Sequence, residues 1–286
     1  MHSASLLKWQ IGDVSVTKVV ELTSSSLGAY ILPDASSVRL REINWITPFV
    51  DDEFRMVMSF HSLVVETPDH LLIVDTCIGN EKARNYPRWH LMTTRFLDDL
   101  RDAGFREAQF DTVLCTHMHV DHVGWNTYKH GEQWAPTFPN ARYLYARDEW
   151  QHWQSESQLE YGPVIEDSVK PIFDLGLADL VEHDHVVCDE VRLVPTPGHT
   201  PGHVSVHIES RGEEAIITGD VFHHPCQLAN PHWCATADGD QAAALQTRHS
   251  FLKNYADRPV LCIGTHFAGV TAGRLVRDGD AYRLDC

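Results

Sequence analysis

The stretch Thr116-His117-Met118-His119-Val120-Asp121-His122 (THMHVDH) decides what this chain is built around. It places three imidazoles and one carboxylate within six residues, from position 117 to position 122. Packed together, such groups would repel one another or stay unsatisfied unless a cation organised them. Neutral imidazole and carboxylate are the ligands that zinc and related divalent metals prefer. The stretch therefore predicts a metal site.

Three more ligand-type residues are predicted to follow strands or to lie between them, as the first group does. The first group leaves a short, buried-looking strand at 111–115, which can fix a ligand loop rigidly. His199 stands in a glycine- and proline-rich loop, PGHTPGH, whereas Asp220 and His266 end the strand-like segments TGD and GTH. If these strand ends meet at one edge, five histidines and two aspartates converge: His117, His119, Asp121, His122, His199, Asp220 and His266.

Strand-like and helix-like segments interleave along the chain, which predicts an α/β protein with sheets covered by helices. Strands are predicted at 14–21, 57–67, 71–75, 111–115, 141–146, 186–194, 203–208, 215–218 and 260–264, with one or two edge strands at 273–284. Helices are predicted at 93–103, 148–156 and 240–255.

The motifs together resemble the metallo-β-lactamase superfamily over nearly the whole chain. The matching elements are THMHVDH at 116–122, GHTPGH at 198–203, TGD at 218–220 and GTH at 264–266. Their spacing also suits that superfamily, with 77 residues from His122 to His199, 21 more to Asp220 and 46 more to His266. The segment LIVDTCIG at 72–79 resembles the N-terminal hairpin of the superfamily. A lone H-x-H would be weak, but the ordered set is specific.

The resemblance implies an αβ/βα sandwich of two mixed β-sheets flanked by helices, formed by residues 1–286 as one domain. It also implies two divalent metal ions. His117, His119 and His199 would hold the first ion, Asp121, His122 and His266 the second, and Asp220 would bridge them. Zinc suits such ligands, although iron, manganese or cobalt can occupy them too. Two ions about 3.5–4 Å apart can share a hydroxide that acts as the nucleophile at neutral pH.

Two residues near the ligands are expected to support the site without ligating. Asp75 is either a partner that orients a ligand histidine or a residue of a turn. His203 is expected to have a supporting or structural role, because the ligand set is complete without it.

Within the superfamily, residue types favour the branch that resembles N-acyl-homoserine lactonases and methyl parathion hydrolase. Zinc β-lactamases with a cysteine ligand would need it where Asp220 stands, and flavodiiron proteins carry an acidic residue where His119 stands. Only twenty residues follow His266, so the glutathione-binding tail of glyoxalase II is not expected. One group of lactonases places a tyrosine three residues after the bridging aspartate, where this chain has His223. His223 is either a donor to the developing oxyanion or a loop residue.

The amino-acid composition restricts the classes of partner that we expect for this protein. The chain has 40 acidic and 23 basic residues, a formal charge of −17, and this argues against nucleic acid. Seven cysteines, an odd number without a C-x-x-C pair, favour reduced thiols and a cytoplasmic location. No apolar run approaches 18 residues, and residues 1–10 do not resemble a secretory signal, so no membrane partner is expected.

Segment 27–53 is predicted to be an irregular insertion that serves as a lid, a substrate wall or a homodimer contact, or is an ordered surface loop. The apolar wall of a substrate cleft is expected from aromatic residues near the ligand loops, and their presence would favour a neutral or apolar substrate. These residues are Trp45, Phe49, Phe60, Trp125, Phe222 and Trp233.

The leading hypothesis is a dinuclear metal-dependent hydrolase, a lactonase or esterase, in which the bridging hydroxide attacks the carbonyl carbon. Asp121 or Asp220 would carry the proton toward the leaving group, and His223 would assist. A second hypothesis keeps the site but assigns hydrolysis of phosphotriesters or other xenobiotics. A third is a non-catalytic metal-binding module, which the complete ligand set disfavours because a structural zinc needs only four ligands.

Overall fold

The structure, a computed structural model, describes residues 6–155 and 161–286. Within these residues the strands are β1 (Lys8–Ile11), β2 (Val14–Ser24), β3 (Met58–Glu66), β4 (Leu71–Val74), β5 (Thr112–Leu114), β6 (Thr127–His130), β7 (Gln133–Pro136), β8 (Arg142–Ala146), β9 (Ala178–Val181), β10 (Val186–Cys188), β11 (Val191–Pro195), β12 (Val204–Ser210), β13 (Glu213–Ile217), β14 (Val260–Ile263), β15 (Ala272–Asp278) and β16 (Ala281–Asp285). The α-helices are α1 (Gly28–Ile31), α2 (Ser37–Leu40), α3 (Phe96–Asp102), α4 (Arg147–Ser155), α5 (Lys170–Asp174), α6 (Cys226–Ala229) and α7 (Gln241–Tyr255).

Two seven-stranded sheets form the centre of the molecule. The first sheet has the order β1-β2-β3-β4-β5-β8-β9, antiparallel up to β4 and parallel from β4 onward. The second has the order β10 to β16 in sequence, with one parallel pair, β13 and β14, among antiparallel neighbours. Strands β6 and β7 form a separate hairpin. Both sheets are therefore mixed, as predicted.

Apolar side chains fill the space between the two sheets, and they also cover the outer face of each sheet. Val16 and Val74 of the first sheet belong to the same buried cluster as Val206 and Ile217 of the second. On the outer faces, α3 packs against the first sheet and α7 against the second. The first eight residues of β3 are all buried, because that strand is covered on both sides. The predicted αβ/βα sandwich is confirmed.

Most predicted elements are confirmed within a few residues. The predicted helix 240–255 is α7, and Asp240 is its N-cap, whose Oδ1 accepts hydrogen bonds from the backbone N–H groups of Ala242 and Ala243 at 3.0 Å. The predicted helix 148–156 is α4, and Glu156 lies outside the described residues. The C-terminal segment forms two strands, of which only β16 is at an edge.

One prediction of secondary structure was wrong. Segment 186–194 is not one strand but the hairpin β10–β11, in which Cys188 faces Val191 across a two-residue turn of Asp189 and Glu190, which favour turns over strands. Segment 27–53 is less irregular than expected, since it contains α1, α2 and a 3₁₀ turn at Thr47–Phe49. Its apolar residues Leu32, Leu40 and Phe49 are buried in the cluster beside the second sheet. These short helices have no long periodic pattern, which explains why the sequence does not reveal them.

None of the described helices is both long enough and apolar enough to cross a membrane. All seven cysteines lie within the described residues, and each is a free thiol there. The predicted cytoplasmic location stays a prediction.

Candidate metal centre

The topology gathers all seven predicted ligands at one edge of the two sheets. The loop 116–122 leaves β5 of the first sheet, and the other three ligands come from loops that follow β11, β13 and β14 of the second. Because β13 and β14 run parallel, their carboxyl ends place Asp220 and His266 side by side, with His266 Nε2 3.2 Å from Asp220 Oδ1. The pairing of β13 with β14 therefore brings together two of the seven predicted ligands.

Two groups of ligand atoms result. In the first, His119 Nδ1 lies 3.0 Å from His117 Nε2 and 2.8 Å from His199 Nε2. In the second, His266 Nε2 lies 3.3 Å from His122 Nε2 and 3.5 Å from Asp121 Oδ2. These groups match the two sets that the resemblance to the superfamily implies.

Asp220 lies between the two groups. Its Oδ2 is 3.4 Å from His199 Nε2 and 3.5 Å from His122 Nε2, and Oδ1 faces His266. Asp220 is 3 % exposed, and its Oδ1 makes no hydrogen bond with any residue that the structure describes. A buried carboxylate oxygen without a hydrogen bond is costly, so this position calls for a cation.

The orientation of the imidazoles also fits metal binding. In each of these histidines one ring nitrogen points into the site. In four of the five, the second ring nitrogen faces an oxygen acceptor, so the ring proton lies on that second nitrogen and the inward nitrogen keeps a lone pair. These contacts are His117 Nδ1 to Thr116 Oγ1 at 3.1 Å, His122 Nδ1 to Asp75 Oδ2 at 3.0 Å, His199 Nδ1 to Asp238 Oδ1 at 3.0 Å and His266 Nδ1 to the Ser59 carbonyl at 3.2 Å. Inward lone pairs that face one another repel unless cations lie between them, so the donor set fits two divalent ions.

Electrostatics divides the predicted ligand histidines into two kinds. Burial, followed by the neighbouring imidazoles, holds the pKa of His117 and of His119 well below the usual range, so both stay neutral. Burial opposes protonation of His122 too, but Asp220, Asp121 and Asp75 outweigh it and raise its pKa. The carboxylates at this end of the site therefore attract positive charge, which a divalent ion can supply in place of protons.

Asp75 connects the first ligand loop to the first sheet. Its carboxylate accepts hydrogen bonds from the Thr116 backbone N–H at 2.8 Å and from Thr116 Oγ1 at 2.9 Å, besides that from His122. Asp75 has a φ of 55° directly after β4, and no turn is assigned there. Of the two expected roles, the structure shows that of a partner that orients a predicted ligand histidine.

His203 supports Asp220 through the backbone. Its Nε2 accepts a hydrogen bond from the Asp220 N–H at 2.7 Å, and its Nδ1 lies 3.0 Å from the Thr196 carbonyl. Burial lowers the pKa of His203 to about 3, which keeps the ring neutral for this acceptor role. Gly219 has a φ of 54°, and a Cβ there would approach His203 Nε2 to 2.5 Å. The turn before Asp220 therefore requires glycine.

Asp238 and Arg248 are supporting residues that the sequence analysis missed. Asp238 Oδ1 accepts a hydrogen bond from His199 Nδ1 at 3.0 Å. Its Oδ2 accepts hydrogen bonds from the Ala235 N–H at 3.0 Å and from Arg248 Nη1 at 3.2 Å. Arg248 is fully buried on α7, so it neutralises Asp238 inside the protein. Burial opposes ionisation of Asp238, but its hydrogen bond with His199 and nearby charges hold its pKa below the usual range. Asp238 also lies close enough to His199 and His223 for the three to hold a metal ion of their own. The ion pair of Asp238 with Arg248 disfavours such a third ion.

Glu149 is a second missed residue. Its Oε1 accepts hydrogen bonds from the Met118 N–H at 2.9 Å and from Trp153 Nε1 at 2.6 Å, and its Oε2 accepts one from the Gly202 N–H at 3.1 Å. Glu149 therefore joins the loop 116–122 to the loop 197–203. A Cβ at position 202 would lie 2.2 Å from the Glu149 backbone nitrogen, so this contact depends on glycine.

His223 lies in the site rather than in a solvent-facing loop. Its Nε2 is 3.3 Å from Asp220 Oδ2, its side chain is buried, and neither ring nitrogen makes a hydrogen bond with a described residue. The backbone N–H of His223 donates to Gln227 Oε1 at 2.7 Å, which fixes the turn. The predicted role of His223 toward substrate stays a prediction.

A cavity of about 360 Å³ opens over the ligands. Of the six aromatic residues expected in its wall, only Phe60 lines it. Phe49, Phe222 and Trp233 are buried beside the second sheet, and Trp125 stacks on Phe96. The expectation failed because nearness in sequence to a ligand loop does not determine the direction of a side chain. The wall instead comes mainly from Leu27, Tyr30, Ile31, Tyr86, Trp89 and Tyr161.

Segment 27–53 contributes part of that wall through Leu27, Tyr30 and Ile31. The backbone carbonyl of Phe49 accepts a hydrogen bond from His224 Nε2 at 2.8 Å, which ties the segment to the turn after Asp220. The predicted roles of the segment as a lid or a dimer contact, and the homodimer itself, stay predictions.

Two mixed sheets between helices, with histidines and aspartates gathered at their open edge, define a class of metal-dependent hydrolases. This chain belongs to the metallo-beta-lactamase superfamily, whose model matches residues 60–263. The expected membership is thus confirmed.

Individual relatives are more distant. A probable metallo-hydrolase of Mycobacterium tuberculosis is 28% identical over 232 residues, which are 71% of this chain and 68% of that protein. An N-acyl homoserine lactonase of Bacillus thuringiensis is 25% identical over 123 residues, 43% of this chain and 42% of the lactonase. Among solved structures, the dizinc quorum-quenching lactonase AidC has a TM-score of 0.79 at 20% identity, covering 98% of this chain and 96% of AidC. The hydrolase AbOPH has a TM-score of 0.81 at 23% identity, and the match covers 100% of this chain and 99% of AbOPH. At these identities the structures establish the fold alone.

Proposed function

We propose that this protein is a dinuclear metal-dependent hydrolase that opens a lactone or cleaves a carboxylic ester. The observation that carries the proposal is the position of Asp220 between the two groups of predicted ligands. Its Oδ2 faces His199 of the first group, and its Oδ1, which makes no hydrogen bond with a described residue, faces His266 of the second. The first ion would bind His117, His119 and His199. The second would bind Asp121, His122 and His266, with Asp220 common to both.

Two divalent ions, of which zinc best suits these ligands, would supply an activated water at neutral pH and polarise the substrate carbonyl. The chain's own residues do the rest. Asp75 and Asp238 hold His122 and His199 in the orientation that presents Nε2 to the site. Asp121 and Asp220 line the cavity, so a carboxylate oxygen of either can carry a proton to the leaving oxygen.

His223 is proposed to assist at the substrate. Its imidazole lines the cavity, is neutral because burial lowers its pKa, and makes no hydrogen bond through either ring nitrogen among the described residues. A neutral imidazole carries one N–H, which can donate to the oxygen that gains charge on the substrate. We expect His223→Ala to lower kcat more than it raises KM.

A phosphotriester hydrolase is the second candidate for the same site. The cavity lining that the structure describes includes no lysine or arginine, so the cavity suits an uncharged substrate of either class. An anionic phosphate monoester would find no side-chain cation there. Turnover on matched panels of lactones, aryl esters and phosphotriesters distinguishes the two.

The test combines metal analysis with that panel. We expect about two metal ions per chain, loss of activity on chelation, and loss of activity in His117→Ala. His249→Ala, which changes an exposed histidine on α7, is the matched control and should keep both activity and metal. Fewer than about one ion per chain, or activity that survives chelation, would contradict the dinuclear enzyme and favour a non-catalytic module.

A further inference from the structure

A second cavity, of about 590 Å³, adjoins the first. The two cavities share five lining residues, Tyr30, His119, Tyr161, His199 and Ala237, and otherwise have separate walls. We name the first cavity the aromatic arm and the second the loop arm. His119 and His199 are proposed metal ligands, so the two arms meet at the candidate metal centre.

The aromatic arm is built from rings that begin at a proposed ligand. The centre of the Phe60 ring lies 5.1 Å from that of His266 and 5.5 Å from that of Trp89. The centre of the Tyr86 ring lies 5.1 Å from that of Trp89. Rings in edge-to-face contact form a stiff apolar surface that favours another flat apolar group. Asp121 and Asp220 also line this arm and do not line the loop arm.

The loop arm has a different construction. Its walls are the loops 197–201 and 236–240, with Trp153 of α4 and Ala243 of α7. The centre of the Trp153 ring lies 5.4 Å from that of His119, which places this arm on the side of the first ligand group. Pro197 and Pro201 restrict the loop backbone, so the arm is a preformed space.

Charge restricts what both arms accept. No lysine or arginine is among the described residues that line either arm. Asp121 and Asp220 line the aromatic arm, and Asp238 and Asp240 line the loop arm. A carboxylate or phosphate in either arm would therefore find no side-chain cation to pair with. Both substituents of the substrate should be uncharged.

We propose that the natural substrate is an uncharged acyclic carboxylic ester, with its alcohol group in the aromatic arm and its acyl group in the loop arm. This inference rests on the proposed function. An unsubstituted lactone joins its acyl and alcohol parts in one small ring, so it does not need a separate space on each side of the metal centre. An acyclic ester has a group on each side of the reacting bond, and this cleft has a space for each.

The orientation follows from which carboxylates are free to act on the substrate. In the loop arm, Asp238 is held by His199 and Arg248, and Asp240 caps the N-terminus of α7. In hydrolysis, water forms a new bond to the acyl carbon while the bond from that carbon to the alcohol oxygen breaks. The alcohol oxygen takes a proton, and the products are an alcohol and a carboxylic acid, which releases a proton near neutral pH. Because Asp121 and Asp220 line only the aromatic arm, the leaving oxygen should be on that side.

The experiment uses four esters that pair a small or a bulky acyl group with a small or an aromatic alcohol, and an unsubstituted and a bulky lactone. In the metal-loaded full chain, Ala243→Phe narrows the loop arm, and Ala242→Phe is the matched control because that neighbour is exposed and does not line it. We expect Ala243→Phe to lower kcat/KM about 10-fold to 100-fold for bulky-acyl esters only. Tyr86→Ala, at a half-buried position, should lower kcat/KM for aromatic alcohols only.

Product inhibition gives a second readout. Ala243→Phe should weaken inhibition by the bulky carboxylic acid, and Tyr86→Ala should weaken inhibition by the aromatic alcohol, with metal content unchanged in both. The two-arm proposal is overturned if lactones are turned over at least as well as the acyclic esters, or if Ala243→Phe affects every ester equally. Either result leaves the proposed hydrolase intact. Absence of turnover on all substrates, by contrast, contradicts the proposed function itself.

Discussion

Two buried clusters of charged and polar residues in this protein have opposite construction. In one, Arg84 donates to both carboxylate oxygens of Asp167 at 2.6 and 2.9 Å, and Lys82 Nζ donates to Thr127 Oγ1 at 2.8 Å and to the Asp167 carbonyl at 3.1 Å. In the other, the seven proposed ligands face one another, and Asp220 Oδ1 makes no hydrogen bond within the described chain. We call the first the Lys82 cluster and the second the ligand cluster.

The difference shows how to tell a structural cluster from a functional one. The Lys82 cluster contains its own counter-charge, so it needs nothing from outside. In the ligand cluster the carboxylates of Asp121 and Asp220 face only histidines among the described residues, so their counter-charge is either a proton on an imidazole or a bound cation. Variants of the two clusters should therefore fail in different ways.

The largest expected effect is on catalysis in Asp220→Asn. We expect kcat/KM to fall about 10⁴-fold, because the proposed ions, which would lower the pKa of water from 15.7 toward about 7, would lose their proposed shared ligand. Metal content should fall, while the melting temperature of the metal-free protein should not. Kinetics, metal analysis and calorimetry after chelation measure these quantities. A variant that keeps both its metal and its activity would remove Asp220 from the proposed site.

Arg84→Met should show the opposite pattern. It leaves Asp167 buried without its bidentate partner, so we expect a loss of about 3–5 kcal/mol in the free energy of unfolding. Activity per folded molecule and metal content should stay within about twofold of wild type. Arg88→Met, at an exposed neighbouring arginine, is the control for denaturant titration. If Arg84→Met loses metal while remaining folded, the two clusters are not independent.

Asp238→Asn tests the support beneath the ligand cluster. Its carboxylate holds His199 at 3.0 Å, and loss of such a partner weakens metal binding by about 10-fold to 100-fold. Competition with a chelator of known affinity measures the change. Asp184→Asn, an exposed substitution of the same type, should leave affinity unchanged. Equal affinities in wild type and Asp238→Asn would mean that Asp238 does not act through the metal ligand.

The smallest expected effect concerns pH. Burial lowers the pKa of Lys82 to about 7, below its ordinary value of 10.5. Between these values the unfolded chain binds more protons than the folded chain, so the Lys82 contribution to stability rises with pH, by at most about 1.4 kcal/mol per unit. Lys82→Met should remove this rise between pH 7 and 8.5 in denaturant titrations. Parallel pH profiles of the two proteins would contradict the lowered pKa.

The same contrast explains how much the sequence could predict. The ligand cluster was predictable because each ligand sits in a short motif of histidine, aspartate and glycine beside a recognisable strand. Asp238 and Glu149 carry no such local pattern. Their partners lie far along the chain, His199 for Asp238 and Gly202 for Glu149, so only the folded chain reveals them.

The fold followed a similar rule. Long alternating or buried segments such as β2, β3 and β12 were predicted, since their periodicity is a direct consequence of burial. The hairpin β6–β7 and the helices of segment 27–53 were not, because elements of four residues contain too little pattern to be recognised. The cleft wall was missed for a related reason, since it combines residues from distant segments such as Leu27 and Trp89.

Each proposed ion takes ligands from both sheets, and this has a consequence for the order of events when the protein is made. The loop 116–122 follows the first sheet, whereas His199, Asp220 and His266 follow strands of the second. Bringing these loops together carries the entropic cost of closing long loops, which the apolar contacts between the sheets must offset first. Metal uptake should therefore come after folding. Protein synthesised in metal-poor medium is expected to accumulate folded and to become active when metal is added, so metal supply would govern when the enzyme works rather than how much of it folds.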